Sequence, residues 1–223
     1  MAREPIALSW SGGKDCSLAL QAVLADPMLS VDALVTTVTD GYDRISMHGV
    51  RRELLAAQVA ELGIPVREAR IPIGASNAMY ESAMSAVLAE LKAHGISRVV
   101  FGDLFLQDVR EYRERLLGAL GMRGHYPLWM HDTRRLALDF IEHGFRAVLV
   151  CVDPRQLDPA FCGRDFDHAL LADLPPSADP CGEKGEFHTF VYDGPLFRRP
   201  IPIERGEVVE RDGFWFADLL VAG

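Results

Sequence analysis

Long apolar runs are missing from this 223-residue chain, and positive charge is in deficit. No run approaches the roughly 20 apolar residues that a membrane-spanning helix needs, so we expect no membrane partner. The start, Met1-Ala2-Arg3-Glu4-Pro5, carries no signal-peptide core, and we therefore expect a cytoplasmic protein. A formal net charge of −9 argues against broad nucleic-acid binding, because phosphate neutralisation needs a basic face.

Cysteine is scarce as well, and the spacing of the cysteines argues against two further classes of protein. The four cysteines are Cys16, Cys151, Cys162 and Cys181. They form no Cys-x-x-Cys pair, so neither a zinc ribbon nor a small disulfide scaffold is indicated. We expect free thiols, with Cys151 inert inside an apolar strand. Internal repeats and low-complexity segments are absent from the sequence too.

What is present is an alternation of short apolar runs with helical periodicities. The apolar runs predict strands at residues 5–10, 31–39, 64–71, 97–101 and 145–152. The periodicities predict helices at residues 17–24, 50–62, 79–91, 108–120 and 132–143, the fourth opened by a capping-box-like Asp108-Val109-Arg110-Glu111. This order predicts an α/β fold with a mostly parallel five-stranded sheet and helices on both faces.

The last part of the chain has a different pattern. Proline and turn signals follow residue 174, and Arg211-Asp212-Gly213 lies between two apolar runs as in a β-hairpin. We therefore predict a smaller C-terminal α+β subdomain. The predicted division gives a larger domain at residues 1–125 and the smaller subdomain at residues 126–223.

The strongest chemical signal is the segment Ser9-Trp10-Ser11-Gly12-Gly13-Lys14-Asp15-Cys16-Ser17, which follows the first strand and opens the first helix. Two glycines allow a tight turn that brings backbone N–H groups to an anion, and the helix N-terminus adds free donors. Lys14 can neutralise phosphate, and Ser11 and Ser17 offer hydroxyl donors. Asp15 is expected to hold Mg²⁺ or to orient the turn. The glycine spacing differs from Walker A.

In an open parallel sheet the ligand lies beyond the carboxyl ends of the strands. Thr37 ends the second predicted strand, and Gly102-Asp103 ends the fourth, so we expect both beside the loop. Gly102 would allow close approach of the nucleotide. Asp103 would bind Mg²⁺ or the ribose, or would cap a turn.

Ser-Gly-Gly-Lys-Asp resembles the PP-loop of ATP pyrophosphatases. Three further segments, at residues 41–50, 102–113 and 179–189, resemble the diphthine–ammonia ligase family in its bacterial-type branch. Together with the loop, the resemblance covers nearly the whole chain. The resemblance implies an adenine-nucleotide α-hydrolase (HUP-like) fold that uses ATP and Mg²⁺. It also implies that a substrate carboxylate attacks the α-phosphate and that ammonia then displaces AMP to give an amide. At residues 103–106 and 183–189 the chain departs from the best-known members.

These considerations give three sets of candidate residues. The catalytic candidates are Lys14, Asp15, Asp103, Glu183 and Glu186. The ATP-binding candidates are Ser9, Ser11, Gly12, Gly13, Lys14, Asp15, Ser17, Thr37, His48, Gly102 and Asp103, with Asp15 as the Mg²⁺ ligand. The substrate-binding candidates are Arg110, Tyr112, Arg113, Glu183, Glu186, His188 and Thr189.

Several of these residues have alternative interpretations. Glu183 and Glu186 would bind ammonium or act as base for ammonia, whereas a solvated turn is the alternative. Cys181, Glu183 and His188 have metal-ligand chemistry without a metal-site spacing. Arg110 and Arg113 lie three residues apart on one helix face and would clamp an anion together, or would face solvent.

Two rival functions remain at the level of sequence. One is a PP-loop enzyme that modifies tRNA, which paired reactive cysteines would support. The other is a protein that binds an adenine nucleotide without turnover. A homodimer is the default assembly.

Overall fold

The computed structural model describes residues 3–41, 44–45 and 48–222 of the chain. The first sheet of this part has six strands. They are β1 (Glu4–Ser9), β2 (Leu29–Thr39), β3 (Arg44–Ile45), β4 (Val66–Ile71), β5 (Arg98–Val100) and β6 (Arg123–His125). The helices that connect them are α1 (Lys14–Leu24), α2 (Arg52–Leu62), α3 (Asn77–Ala93) and α4 (Gln107–Ala119).

Five strands of this sheet run parallel. β2 pairs with β1 on one side and β4 on the other, β1 pairs with β5, and β5 pairs with β6. The short β3 runs antiparallel to the end of β2. The chain order therefore reverses between β1 and β5, which creates a crevice at the carboxyl ends of these two strands.

Alternate residues of β1 face opposite layers of helices. Ile6 and Leu8 pack in a cluster with α1 and α2, whereas Ala7 packs in a second cluster with α3 and α4. A strand buried on both faces needs apolar residues throughout, and this explains the continuous apolar run. The predicted parallel sheet with helices on both faces is confirmed.

The helix ends follow local chemistry. The Ser76 hydroxyl accepts the Met79 N–H at the start of α3, and Gly63 ends α2 with a left-handed backbone. The predicted capping box of the fourth helix is wrong. α4 begins one residue earlier, after Leu106, without a side-chain cap, and Asp108 lies inside its first turn.

The second sheet is antiparallel and forms the C-terminal α+β part. Its strands are β7 (Arg146–Val152), β8 (Phe187–Asp193), β9 (Ile203–Arg211) and β10 (Phe214–Val221), in the spatial order β8-β7-β10-β9. Two helices, α5 (Thr133–Glu142) and α6 (His168–Asp173), and a short 3-10 helix at Pro159–Phe161 belong to the same part. The predicted hairpin is confirmed, with a turn at Asp212 and Gly213, both of positive φ.

One predicted strand lies in the other sheet. The run at residues 145–152 forms β7, which pairs with β8 and β10 rather than joining the parallel sheet. β7 is central in the second sheet and buried along nearly its whole length, so its composition matches that of a central parallel strand. The three-residue β6 completes the parallel set instead.

A single hydrophobic cluster joins the two sheets. It contains Leu8 and Leu54 from the first part and Phe140, Val148 and Phe190 from the second. The four cysteines are buried free thiols, as predicted. Within the described ranges, no helix has the length and apolar character needed to cross a membrane.

Candidate functional site

The segment between β1 and α1 forms a tight loop at the carboxyl end of β1. Gly12 has a φ of +79°, and a Cβ there would lie 2.6 Å from Oε1 of Gln58. A Cβ on Gly13 would lie 3.0 Å from the Thr189 carbonyl oxygen and 3.2 Å from Cε1 of His48. The glycine pair is therefore required by close contacts on two sides, in addition to the left-handed turn.

Gln58 holds this loop from behind, although it belongs to none of the predicted site residues. Its Nε2 donates to the carbonyls of Gly12 (3.0 Å) and Val191 (2.6 Å), and its Oε1 accepts from the indole of Trp10 (3.0 Å). The side chain is fully buried. A signal was present: Gln58 falls four residues after Leu54 on the apolar face of α2, where a polar residue needs buried partners.

The C-terminal sheet also binds the loop directly. The Val191 N–H donates to the Gly12 carbonyl at 2.8 Å. The Lys14 N–H donates to the hydroxyl of Thr189 at 3.0 Å. Because both contacts come from β8, the geometry of the loop depends on residues about 175 positions away in the chain.

In front of the loop lies a cavity of about 240 Å³, and many of the predicted residues line it. Those residues are Ser9, Ser11, Gly13, Lys14, Asp15, His48, Gly102, Asp103, Arg113, Glu183, His188 and Thr189. The lining also includes five residues without a predicted site role, namely Cys16, Phe101, Gly182, Gly185 and Phe187. Segments from both sheets thus meet at one cavity.

The remaining predicted residues lie outside this lining. Gly12 and Ser17 are buried behind the loop, where the Ser17 hydroxyl donates to the Gly13 carbonyl at 2.9 Å. Thr37 pairs with Ala69 of β4 inside the sheet. Tyr112 borders a narrow apolar cleft between α3 and α4. None of these positions points a side chain into the cavity.

Arg110 and Arg113 do not form a shared clamp. The Arg110 guanidinium lies 4.7 Å from the ring centroid of Tyr126 and 4.6 Å from that of Trp129. Arg113 instead pairs with Asp103, with Nε 2.7 Å from Oδ2 and Nη2 donating to Oδ1 at 3.0 Å. Each guanidinium therefore has its own partners.

Gly102 allows a close approach of other protein atoms rather than of a nucleotide. A Cβ at this position would lie 2.7 Å from the main-chain carbonyl carbon of Asp15. The end of β5 thus packs directly against the first turn of α1. This packing brings Asp103 to the same side of the cavity as Asp15.

The charged centre of the cavity consists of Lys14, Asp15 and Glu183. Lys14 Nζ lies 2.6 Å from Asp15 Oδ1, and the lysine is almost completely buried. Burial acts to lower the pKa of Lys14, but Asp15, Cys181 and Glu183 outweigh it and raise that pKa above the ordinary value. Burial raises the pKa of Asp15, although Lys14 opposes this.

Glu183 and Glu186 have different surroundings. Glu183 lines the cavity, and its Oε1 accepts the Leu104 N–H at 2.8 Å. Burial raises the pKa of Glu183 to about 7, against the lowering effect of that hydrogen bond. Glu186 lies outside the cavity lining and is buried, and its Oε1 accepts the Asp179 N–H at 2.7 Å. Only Glu183 is therefore placed to meet a ligand.

Two histidines form one wall of the cavity. The ring centroids of His48 and His188 are 4.5 Å apart. Burial lowers the pKa of His48 to about 3, helped by His188, and lowers the pKa of His188 to about 4, helped by Lys14. Both rings are neutral at pH 7, so the cavity gains donors and acceptors from them but no positive charge.

Cys181 has the environment of an unreactive thiol. Its Sγ donates to the Thr133 carbonyl at 3.2 Å, and burial raises the pKa of Cys181 to about 12. A protonated thiol is neither a nucleophile nor a metal ligand. Across residues 3–41, 44–45 and 48–222, no group of three or more His, Cys, Asp or Glu residues is arranged to hold a metal ion, so Cys181, Glu183 and His188 form no such site.

Comparison with known proteins gives the family. Residues 4–124 match the family model described as the diphthamide synthase N-terminal domain, and residues 132–221 match the diphthamide synthase C-terminal domain. The chain is similar to a diphthine–ammonia ligase of Schizosaccharomyces pombe, with 33% identity over 101 residues, which is 44% of this chain and 17% of that protein.

Two mammalian relatives carry the same name. The diphthine–ammonia ligase of Homo sapiens is 30% identical over 118 residues, and that of Bos taurus is 29% identical over 118 residues. In both cases the match covers 50% of this chain and 44% of the relative. The chain thus spans less than half the length of these relatives. Since the two family models together cover almost all of its residues, the chain belongs to the diphthamide synthase family.

Proposed function

We propose that the protein is an ATP-dependent ligase that cleaves ATP to AMP and pyrophosphate and joins ammonia to a substrate carboxylate. One observation carries this proposal: the cavity brings the phosphate loop of β1–α1 together with Glu183 from the distant C-terminal part. The name of the curated relatives, diphthine–ammonia ligase, supports the same reaction type. The acid itself is a carboxylate on a small molecule or on a modified protein side chain.

ATP binds with its phosphates against the loop at residues 11–15. The first residues of α1 line the cavity, where a helix N-terminus favours an anion, and Lys14 supplies the positive charge. The neighbouring apolar cleft between α3 and α4 shares Ser9, Phe101 and Arg113 with the cavity, but its volume of about 30 Å³ is too small for an adenine ring.

The residues at the loop fit a Mg²⁺ ion that is held mainly by phosphate. Mg²⁺ typically uses one or two carboxylates in addition to phosphate oxygens and water. The Asp15 side chain is 30% exposed and borders the cavity, so it is the carboxylate best placed to contribute. Arg113 occupies both oxygens of Asp103, whereas Lys14 occupies only Oδ1 of Asp15. When bound, Mg²⁺ would neutralise charge that develops on the phosphates.

The second half-reaction needs a base, and Glu183 has the position and the pKa for it. Ammonia attacks the acyl carbon of the adenylate, a C–N bond forms, and the bond to the AMP oxygen breaks. The nitrogen must then lose a proton, and a carboxylate with a pKa of about 7 accepts it near neutral pH. The Leu104 N–H holds one oxygen of Glu183 and leaves the other for the ligand.

Of the rival functions, sulfur transfer to tRNA receives no support. The four thiols are buried, and burial raises the pKa values of Cys151, Cys162 and Cys181 to about 12. A protein that binds nucleotide without turnover would use the same loop, so activity measurements must separate it from the ligase.

The test follows AMP and pyrophosphate while the protein is incubated with ATP, Mg²⁺, ammonium and a pool of carboxylic acids. We expect both products to depend on an acid in the pool, and Lys14→Ala to abolish them. Lys184→Ala is the matched control, because Lys184 is exposed and close in the chain to the Glu183 block. ADP in place of AMP would contradict the proposed bond cleavage. If the protein binds the nucleotide but turns it over with none of the acid fractions, the non-catalytic alternative is favoured.

A further inference from the structure

A carboxylate of the C-terminal hairpin binds both ends of the segment that carries His48. Asp218 lies on β10, and its Oδ1 accepts from Nη2 of Arg44 (2.9 Å) and Nε of Arg51 (3.0 Å). Its Oδ2 accepts from Nη2 of Arg51 at 2.6 Å. Arg44 is in β3 and Arg51 directly precedes α2, so one acidic side chain ties together the two flanks of His48.

The described residues around His48 form a closed turn. Nη1 of Arg44 donates to the Gly49 carbonyl at 2.6 Å. The Ile45 N–H donates to the Val50 carbonyl at 2.8 Å, and the Gly49 N–H donates to the Ile45 carbonyl at 3.0 Å. The arginine that reaches Asp218 therefore also fixes the backbone next to His48.

An aromatic ring of the same hairpin packs against this turn. A Cβ on Gly49 would lie 2.6 Å from Cδ1 of Phe216, and the φ of Gly49 is +68°. No side chain fits between the ring and the turn. Phe216 and Asp218 are two residues apart on β10, and alternate strand residues point to the same side of a sheet, so they act on the turn together.

His48 is the residue of this turn that lies in the cavity. Its Nδ1 is 3.4 Å from the Thr189 carbonyl oxygen, and its ring lies against that of His188. A Cβ on Gly13 would lie 3.2 Å from Cε1 of His48, so the ring lies close to the Gly13 backbone. The position of the ring relative to the phosphate loop thus depends on the position of the turn.

We propose that Asp218 is a positioning residue that, through Arg44 and Arg51, holds His48 beside the phosphates of bound ATP. The inference rests on the proposed function, because it takes the loop at residues 11–15 as the ATP phosphate site. Three charge-assisted hydrogen bonds to one carboxylate, with Asp218 only 23% exposed, are strong enough to define a single arrangement.

The surroundings of Asp218 make its hydrogen bonds to Arg44 and Arg51 sensitive to salt. The carboxylate borders an open groove of about 480 Å³ that also contains the charged residues Glu207, Glu210 and Arg211. Arg51 is partly exposed at this groove. Since exposed charges are screened by salt, the hold on the turn weakens as ionic strength rises.

The test compares Asp218→Asn with Arg205→Gln. Arg205 is on the same hairpin and binds Asp165 at 2.6 Å, so this control removes an ion pair of the hairpin without touching the His48 turn. We expect Asp218→Asn to accelerate hydrogen exchange of the Ile45 and Gly49 amides about tenfold and to weaken Mg²⁺–ATP binding by a similar factor. Arg205→Gln should change neither quantity.

A double-mutant cycle with His48→Ala then identifies the route. If Asp218 acts through His48, Asp218→Asn has no further effect on ATP affinity once His48 is removed. Full additivity would overturn the inference, as would exchange rates that match those of Arg205→Gln. Wild-type protein that binds no ATP would instead refute the proposed function. The exchange experiment would still decide whether Asp218 holds the turn.

Discussion

Two carboxylates three positions apart, Glu183 and Glu186, have different surroundings. Glu183 lies in the cavity with one oxygen held by the Leu104 N–H, and burial raises its pKa to about 7. Glu186 is buried outside the cavity, where it accepts the Asp179 N–H. The sequence gives no reason to separate them, because both belong to the same charged segment at residues 183–188.

A pH profile tests the role of Glu183. A base must be deprotonated, so kcat/KM for amide formation, expressed per free ammonia, should rise with pH through about 7, the pKa of Glu183, and level off above it. Glu183→Gln should remove this step and lower the rate on the order of 10²–10⁴-fold. Glu186→Gln is the comparison: it should keep the pH step and mainly lower the unfolding temperature. A pH step that survives in Glu183→Gln would assign the base elsewhere.

Gly12 of the loop gives a second prediction, and Gly95, which lies outside the loop, serves as its reference. Gly95→Ala introduces a Cβ at a φ of +88° with no atom within 4 Å, so its cost is backbone strain of about 1–2 kcal/mol. Gly12→Ala meets Gln58 as well, and should lower the free energy of unfolding by roughly 3 kcal/mol or more. Urea denaturation of both variants measures the difference. Equal costs would show that Gln58 moves aside freely.

At the scale of elements, α2 connects the loop to the second sheet through Gln58. The amide binds the Gly12 and Val191 carbonyls and the Trp10 indole, so one helix contacts β1, the loop and β8. Each of these groups is buried, and a buried polar group without a partner costs free energy. The orientation of the loop thus depends on a residue that belongs to neither the loop nor the cavity.

Gln58→Ala should destabilise the fold by roughly 2–4 kcal/mol, because the Trp10 N–H and the Val191 carbonyl lose a buried partner. Gln107→Ala removes an exposed side chain whose hydrogen bond goes to Glu111, and should change stability by less than about 0.5 kcal/mol. Chemical denaturation provides the two values. ATP affinity should fall only in Gln58→Ala, and an unchanged affinity there would contradict the link between α2 and the loop.

Elements differ in how far the sequence predicts them. The helices and the first strands are predictable because local periodicity and glycine positions determine them. The sequence does not show to which sheet β7 belongs, because a strand buried on both faces has the same composition in either sheet. The contacts of β8 with the loop also escape prediction, because hydrogen bonds between residues about 175 positions apart leave no local pattern.

At the scale of the whole molecule, the two parts share one hydrophobic cluster and one cavity. The cluster includes Leu8 and Leu54 on one side and Phe140 and Phe190 on the other. The division at residues 125 and 126 stays a prediction, and because the two parts share this cluster we expect neither to be stable alone.

Expression of residues 1–125 and 126–223 as separate chains tests this dependence. Each fragment should expose its half of the cluster, bind a hydrophobic dye and unfold without a sharp transition. ATP binding should be absent from residues 1–125 and should return when the two fragments are mixed, because β8 supports the loop. Cooperative unfolding of residues 1–125 alone would show an autonomous domain.

The hydrogen bonds from β8 to the Gly12 carbonyl and the Lys14 N–H have a mechanical consequence. They join β8 of the second sheet directly to the loop that follows β1 of the first sheet. Rigid-body opening of the two parts would break them and separate Gln58 from its partners. Because these hydrogen bonds are buried, we expect the two parts to stay together as one unit, and separation of the sheets to cost the free energy of each broken bond.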